Sequence, residues 1–122
     1  MTTTATKDGD FYILNGTKTW VTSGIEADTC VIFATIDKSL KHKGITAFIV
    51  DLNSLGVERG KNERKFCIRA SSTCSIHLRD VRVHSKNVLG ELCGGFKIAM
   101  EQLDQARVCL LYTSDAADDL LC

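Results

Sequence analysis

The chain of 122 residues carries 15 basic and 15 acidic groups, a formal net charge of zero, and is 44% hydrophobic and 25% charged, the profile of one globular domain. Neutral balance without a basic run argues against nucleic acid or an anionic membrane as principal partner, and no apolar stretch approaches the ~20 residues of a membrane span. A chain this size buries roughly two thirds of its unfolded surface, enough for one core but not for a deep internal site.

The first residues, 1–7, have neither a signal-peptide core nor an Arg-rich transit segment. Residues 11–14 and 17–21 then flank Asn15-Gly16. Both turn positions of a type I′ turn need positive φ, so this dipeptide predicts an antiparallel hairpin. Directly after it come Trp20, Val21 and Thr22. Side chains two apart on a strand share a face, which predicts that the indole and the hydroxyl project together. An indole can cover an aromatic ring system while a threonine hydroxyl meets a ring nitrogen, a pairing that suits a flavin. The plainer alternative is a packing tryptophan beside a turn.

Residues 29–35 and 45–51 are β-branched, apolar runs divided by the charged loop 37–43, and read as buried strands. Residues 57–60 are a weaker strand candidate, followed by an exposed charged stretch, 61–65. From Thr73 onward Cys74, Ile76 and Leu78 face one way and Ser75, His77 and Arg79 the other, but Val81 and Val83 fall out of phase. A bulge or strand end near Asp80 follows. Phe96, Ala99, Met100, Leu103, Ala106 and Leu110 recur three and four apart, one face of a helix starting near Gly94 or Gly95. Asp104 and Arg107 are neighbours at the border of that stripe, spaced for an exposed ion pair.

Six cysteines, at positions 30, 67, 74, 93, 109 and 122, form no C-x-x-C and no regular spacing, so they read as reduced thiols. His42, His77 and His84 fall in a turn, a strand and a strand end, never in metal-ligand spacing, and His77 reads as a solvated outward residue. No metal site is expected.

Several segments together resemble one family. Residues 8–22 are similar to the opening of the middle β-domain of acyl-CoA dehydrogenases, and the likeness continues through Lys43-Gly44-Ile45-Thr46-Ala47-Phe48-Ile49-Val50-Asp51, Ile68-Arg69-Ala70-Ser71-Ser72-Thr73, Asn87-Val88-Leu89-Gly90-Glu91 and Gly95-Phe96-Lys97-Ile98-Ala99-Met100 to Leu103, Asp104 and Arg107. The wording is nearest to the short-chain, butyryl-CoA branch. The chain has no proline, and His84 stands where the family commonly has one.

The resemblance implies a mainly β fold, an antiparallel β-barrel-like middle domain followed by the start of a helical domain. It implies FAD as cofactor, with Trp20, Val21 and Thr22 as its contacts, and acyl-CoA as substrate, approached by Asp104, Gln105, Ala106 and Arg107. It implies electron-transfer flavoprotein as partner, a homotetramer at full length, β-oxidation of short-chain fatty acyl-CoA as the process, and the mitochondrial matrix or bacterial cytoplasm as the place. One neutral hydrogen bond contributes only about 0.5–1.5 kcal/mol net, so Thr22 can orient a flavin but not hold it. The family's Glu-Pro-Gly-x-Gly-Ser-Asp type loop and its catalytic glutamate match nothing in these residues, Glu91 and Glu101 included, so no catalytic residue is assigned.

The expected division is residues 1–92 as middle β-domain, 93–108 as the first helix of a truncated helical domain, and 109–122 as a non-native tail that looks like a translated sequencing adapter. Met1 is then an internal methionine. The expected function is a fragment of an FAD-dependent acyl-CoA dehydrogenase, inactive alone. Two alternatives stand beside it: a noncatalytic β-barrel interaction module, and a fragment of an acyl-CoA oxidase.

Overall fold

Residues 2–115 are described by a computed structural model. Seven strands come first: β1 (Thr4–Asp8), β2 (Phe11–Thr22), β3 (Thr29–Thr35), β4 (Ile45–Asp51), β5 (Val57–Arg59), β6 (Thr73–His84) and β7 (Val88–Leu89). One helix, α1 (Gly95–Asp115), closes the described chain. The strands form one sheet in the order β5-β6-β2-β1-β3-β4-β7. The fold is therefore mainly β with a C-terminal helix, as the pattern predicts. The sheet is not closed into a barrel, because β5 and β7 remain separate edges, and it is not wholly antiparallel, because β1 meets β3 in parallel at Thr4 and Thr35.

The sheet nevertheless curls over its own core. Tyr12 of β2 and Phe48 of β4 have ring centroids 5.2 Å apart. Two strands, β1 and β3, lie between them in the sheet, a flat separation of about 14 Å at the usual strand spacing. Curvature brings the two inner faces together, and Leu14, Ile32, Phe48, Val50, Ile76 and Val81 are sealed between them. Strands β3 and β4 take the bounds that their β-branched runs predict, in unbroken register from Thr29 opposite Asp51 to Thr35 opposite Ile45.

The predicted hairpin at Asn15-Gly16 does not form; β2 runs straight through it. The turn lies earlier, at Gly9-Asp10, where Gly9 has φ +57 and Asp8 pairs with Phe11. Strand β1 and that turn lie outside the elements that the sequence pattern predicts. Asn15-Gly16 marks a β-bulge instead: the register with β6 jumps from Leu14 opposite Val81 to Gly16 opposite Leu78. Gly16 has φ +145, and a Cβ there would come within 2.7 Å of the Thr3 Cα. Across the bulge Asp80 adopts φ +50, so the irregularity predicted near Asp80 is present. It turns Val81 and Val83 inward with Cys74, Ile76 and Leu78.

Helix α1 begins at the predicted place. A Cβ on Gly95 would come within 2.8 Å of the Ala47 nitrogen, so only glycine lets the first turn lie this close to β4. Ile98, absent from the predicted stripe, is half-buried there, whereas Phe96, Met100, Leu103 and Leu110 remain exposed. Within the segment 109–122 the helix includes residues 109–115. Residues 116–122, with Cys122, and Met1 lie outside the described residues.

Candidate functional site

A second bulge shapes the end of β2. The register with β6 shifts between Lys18, opposite Ile76, and Val21, opposite Cys74, and Trp20 within that shift has φ +58. Simple alternation therefore does not govern Trp20. Val21 turns toward the core, while the indole is 67% exposed and so is not a packing residue.

Trp20 and Thr22 line one open groove of about 570 Å³. Its other wall is the loop between β5 and β6, which contributes Arg64, Lys65, Phe66, Cys67, Ile68 and Ser71. Of these, Phe66 is almost wholly exposed and Ile68 largely so. The charged stretch 61–65, expected to be exposed, thus leads into a groove wall; the apolar triplet Phe66-Cys67-Ile68 inside a charged loop is the sequence signal for it.

The loop is fastened by its own hydrogen bonds. The Lys65 ammonium donates to the Ser71 carbonyl at 2.6 Å and to the Thr73 hydroxyl at 2.9 Å. Arg69 Nε donates to the Lys65 carbonyl at 3.2 Å, and the Glu63 N–H to the Thr73 carbonyl at 2.8 Å. The β2 end is tied to the same region by Ser23 N–H to the Ser72 carbonyl at 3.0 Å. Among the described residues, the Thr22 hydroxyl and the indole N–H make no hydrogen bond within the chain.

An exposed indole, an uncommitted hydroxyl and two cationic side chains on one fastened groove fit a planar aromatic ligand with a polar or anionic edge. A flavin has that chemistry. Two residues before the indole, Lys18 reaches the Phe33 carbonyl at 2.6 Å. Burial holds its ammonium below the ordinary lysine range, offset in part by Cys30, whose own thiol is pushed up by burial.

The helical set lies elsewhere. Asp104 and Gln105 border an apolar hollow with Val108, Cys109 and Tyr112, and Ala106 and Arg107 are exposed on the same helix. The ion pair that their spacing allows does not form: no salt bridge joins Asp104 to Arg107, and the helix's own pair is Lys97–Glu101 at 3.9 Å. No residue of 104–107 lines the Trp20 groove. His77, expected to be solvated, shares a hydrogen bond with Thr17 at 3.1 Å. Among the described residues the cysteines are free and no group of three His, Cys, Asp or Glu could hold a metal.

Residues 1–81 match the family model described as "Acyl-CoA dehydrogenase, middle domain". Short-chain specific acyl-CoA dehydrogenase, mitochondrial, of Rattus norvegicus is 48% identical over 106 residues, covering 87% of this chain and 26% of the relative. The CarC subunit of the caffeyl-CoA reductase-Etf complex of Acetobacterium woodii is 47% identical over 108 residues, 88% of this chain and 28% of that protein. Among solved structures, butyryl-CoA dehydrogenase of Megasphaera elsdenii superposes with a TM-score of 0.83 at 46% identity, over 87% of this chain and 28% of that one. The chain thus spans about a quarter of the length of the curated relatives it matches.

Proposed function

The chain belongs to the acyl-CoA dehydrogenase family through its middle domain, and from that premise we propose that it forms the flavin-facing β-portion of a short-chain acyl-CoA dehydrogenase. The observation that carries the proposal is the shared groove of Trp20 and Thr22, with an exposed ring and a free hydroxyl. In it the indole packs on the isoalloxazine, the Thr22 hydroxyl meets the polar edge, and Val21 offers backbone. FAD, when bound, supplies the hydride acceptor for α,β-dehydrogenation of a short acyl thioester. The chain's own residues orient the ring and shield one face of it from water.

The segment Asp104-Gln105-Ala106-Arg107 approaches acyl-CoA in this proposal, with Arg107 supporting the active-site region and Asp104 accepting hydrogen bonds. The division near residue 92 is supported by the change from strands to a helix at Gly95. In the full-length protein the curled, barrel-like sheet is covered by helices, and four copies assemble. Electron-transfer flavoprotein is the acceptor, supported by the Etf complex named for the Acetobacterium woodii relative. Relatives named as mitochondrial support a mitochondrial location, with the cytoplasm as its equivalent in a bacterial source. Among the described residues no helix is long and apolar enough to cross a membrane.

The test uses the full-length protein. It is expected to purify yellow, and to pass electrons from butyryl-CoA to electron-transfer flavoprotein. A folded, colourless protein that takes up no added FAD would overturn the proposal.

A further inference from the structure

Lys65 fastens one wall of the Trp20 groove internally, but the join between the two walls is made elsewhere. After Thr22 the chain turns through residues 23–26, and Gly24 in that turn is buried. A Cβ on Gly24 would come within 2.8 Å of the Cys74 sulfur, so the turn is pressed onto β6 beside the Val21–Cys74 pair. The Ala27 N–H donates to the Ser23 carbonyl at 2.9 Å and closes it. From the far wall, Ser72 reaches across twice. Its carbonyl accepts the Ser23 N–H at 3.0 Å, and its hydroxyl donates to the Glu26 carboxylate. Among the described residues no salt bridge takes up that carboxylate. A carboxylate acceptor makes such a hydrogen bond stronger than one between neutral groups.

The join lies where the backbone is strained. Trp20 has φ +58 and Ser23 φ +56 on one wall, and Ile68 has φ +51 on the other, although none of the three is glycine. Residues with side chains keep the left-handed conformation only where their surroundings over-determine it, and such residues gather at functional sites. Trp20 and Ile68 face each other across the groove, and Ser23 directly follows Thr22. Glu26 itself does not line the groove, so its carboxylate reaches a ligand there only through Ser72.

We propose that Glu26 is a positioning residue for the flavin: through the Ser72 hydroxyl it sets the separation of the two walls, and with it the aim of the Thr22 hydroxyl at the polar edge of the ring. The inference rests on the function proposed above. A hydrogen bond weakens steeply as its geometry departs from linearity, so a small drift of the wall that carries Thr22 is felt by the ring although Glu26 never touches it. The Ser23–Ser72 backbone bond alone is a single pivot. The Glu26–Ser72 bond adds a second point of attachment and stops the turn from rocking about the first.

The experiment uses the full-length protein with FAD. Glu26→Ala is expected to release FAD about tenfold faster than the parent and to shift the visible absorption band of the bound flavin. Glu26→Gln keeps an oxygen that accepts from Ser72, and is expected to restore both. Ser72→Ala removes the donor while leaving the Ser72 carbonyl on Ser23; it is expected to reproduce Glu26→Ala, and the double variant to add nothing. Should Glu26→Ala fail to fold, Ser72→Ala carries the same test. Glu58→Ala, which removes an exposed carboxylate paired with Arg79, is expected to leave release and band unaltered. Unaltered release and band in both Glu26→Ala and Ser72→Ala would overturn the inference, as would a Glu26→Gln variant no better than Glu26→Ala. A parent protein that takes up no FAD would overturn the function proposed above instead. The latch has its own readout in flavin-free protein: hydrogen exchange at the Ser23 amide is expected to quicken in Glu26→Ala and Ser72→Ala but not in Glu26→Gln. Unchanged exchange in both alanine variants would overturn the latch itself.

Discussion

Asn15 and Asp80, 65 positions apart in sequence, clasp each other across the seam of β2 and β6. Asn15 Nδ2 donates to the Asp80 carboxylate at 2.9 Å, and the Asp80 N–H donates back to Asn15 Oδ1 at 2.9 Å. The clasp fixes the bulge that turns Val81 and Val83 into the core.

Asn15→Ala is expected to destabilise the chain by about 1–2 kcal/mol, since two hydrogen bonds, one to a charged group, are lost at an exposed seam. Gly16→Ala is expected to be worse, by about 2 kcal/mol or more. It places a methyl against the Thr3 backbone and forces φ +145 on an L-residue. Urea denaturation of the two variants checks the order; equal effects would contradict it.

Trp20→Gly is expected to separate ligand binding from folding. The left-handed backbone at Trp20 costs about 1–2 kcal/mol for an L-residue, and the exposed ring contributes little packing. Chain stability should stay within about 1 kcal/mol, while the full-length protein retains flavin poorly. Thr22→Val should weaken flavin retention by up to about tenfold, the worth of one hydrogen bond. Fluorescence titration of the apoprotein with FAD measures both, and unaltered affinity in both would remove the groove from consideration.

Phe48→Ala strikes the point where the curled sheet meets itself, against Tyr12. Loss of about 3–5 kcal/mol is expected for a fully buried phenylalanine, close to the entire stability of many small domains. Near-ultraviolet circular dichroism should collapse, whereas Phe66→Ala, on an almost wholly exposed ring, should leave it unchanged.

Asp37 supplies a pH dependence. The hydroxyl and then the backbone N–H of Ser39 hold its carboxyl below the ordinary value of 3.8. A depressed carboxyl stabilises the folded loop fully above that ordinary value, and the stabilisation fades as pH falls through the lower, folded-state one. The Ser39 amide resonance should titrate with a midpoint below 3.8, and Asp37→Asn should abolish the transition. A midpoint at or above 3.8 would contradict the assignment.

Much of the sheet was legible in the sequence because burial writes itself into neighbouring residues. Thr29–Thr35 and Ile45–Asp51 are continuous β-branched runs, and the phase break at Val81 betrayed a bulge without any knowledge of its partner. Asn15-Gly16 misled for a physical reason: the same dipeptide serves a tight turn or a bulge, and the deciding partner, Asp80, is distant in sequence. The true turn, Asp8-Gly9-Asp10, carried an equally good local signal, masked because the strand before it, Thr4–Asp8, holds one small apolar residue, Ala5, and so shows no apolar alternation. At the groove, the likeness to a family named Trp20 and Thr22, but the opposing wall of Phe66 and Ile68 depends on a loop fold that no periodicity encodes. The helix start was readable from glycines, whereas its docking through Ile98 rather than the full apolar stripe depends on how close Gly95 comes to β4.

Lys65 gives the groove one further property. Its ammonium ties residues 65, 71 and 73 together, so the wall bearing Phe66 and Ile68 is set during folding. Ordering the backbone of such a loop upon association would otherwise cost about 1–2 kcal/mol per residue. Preorganisation moves that entropy loss out of the binding step, and a guest ring meets a loop whose backbone is already in place. Affinity at this surface is consequently leveraged on a single lysine charge, and neutralising it would slacken the grip even where every atom facing the guest is unchanged.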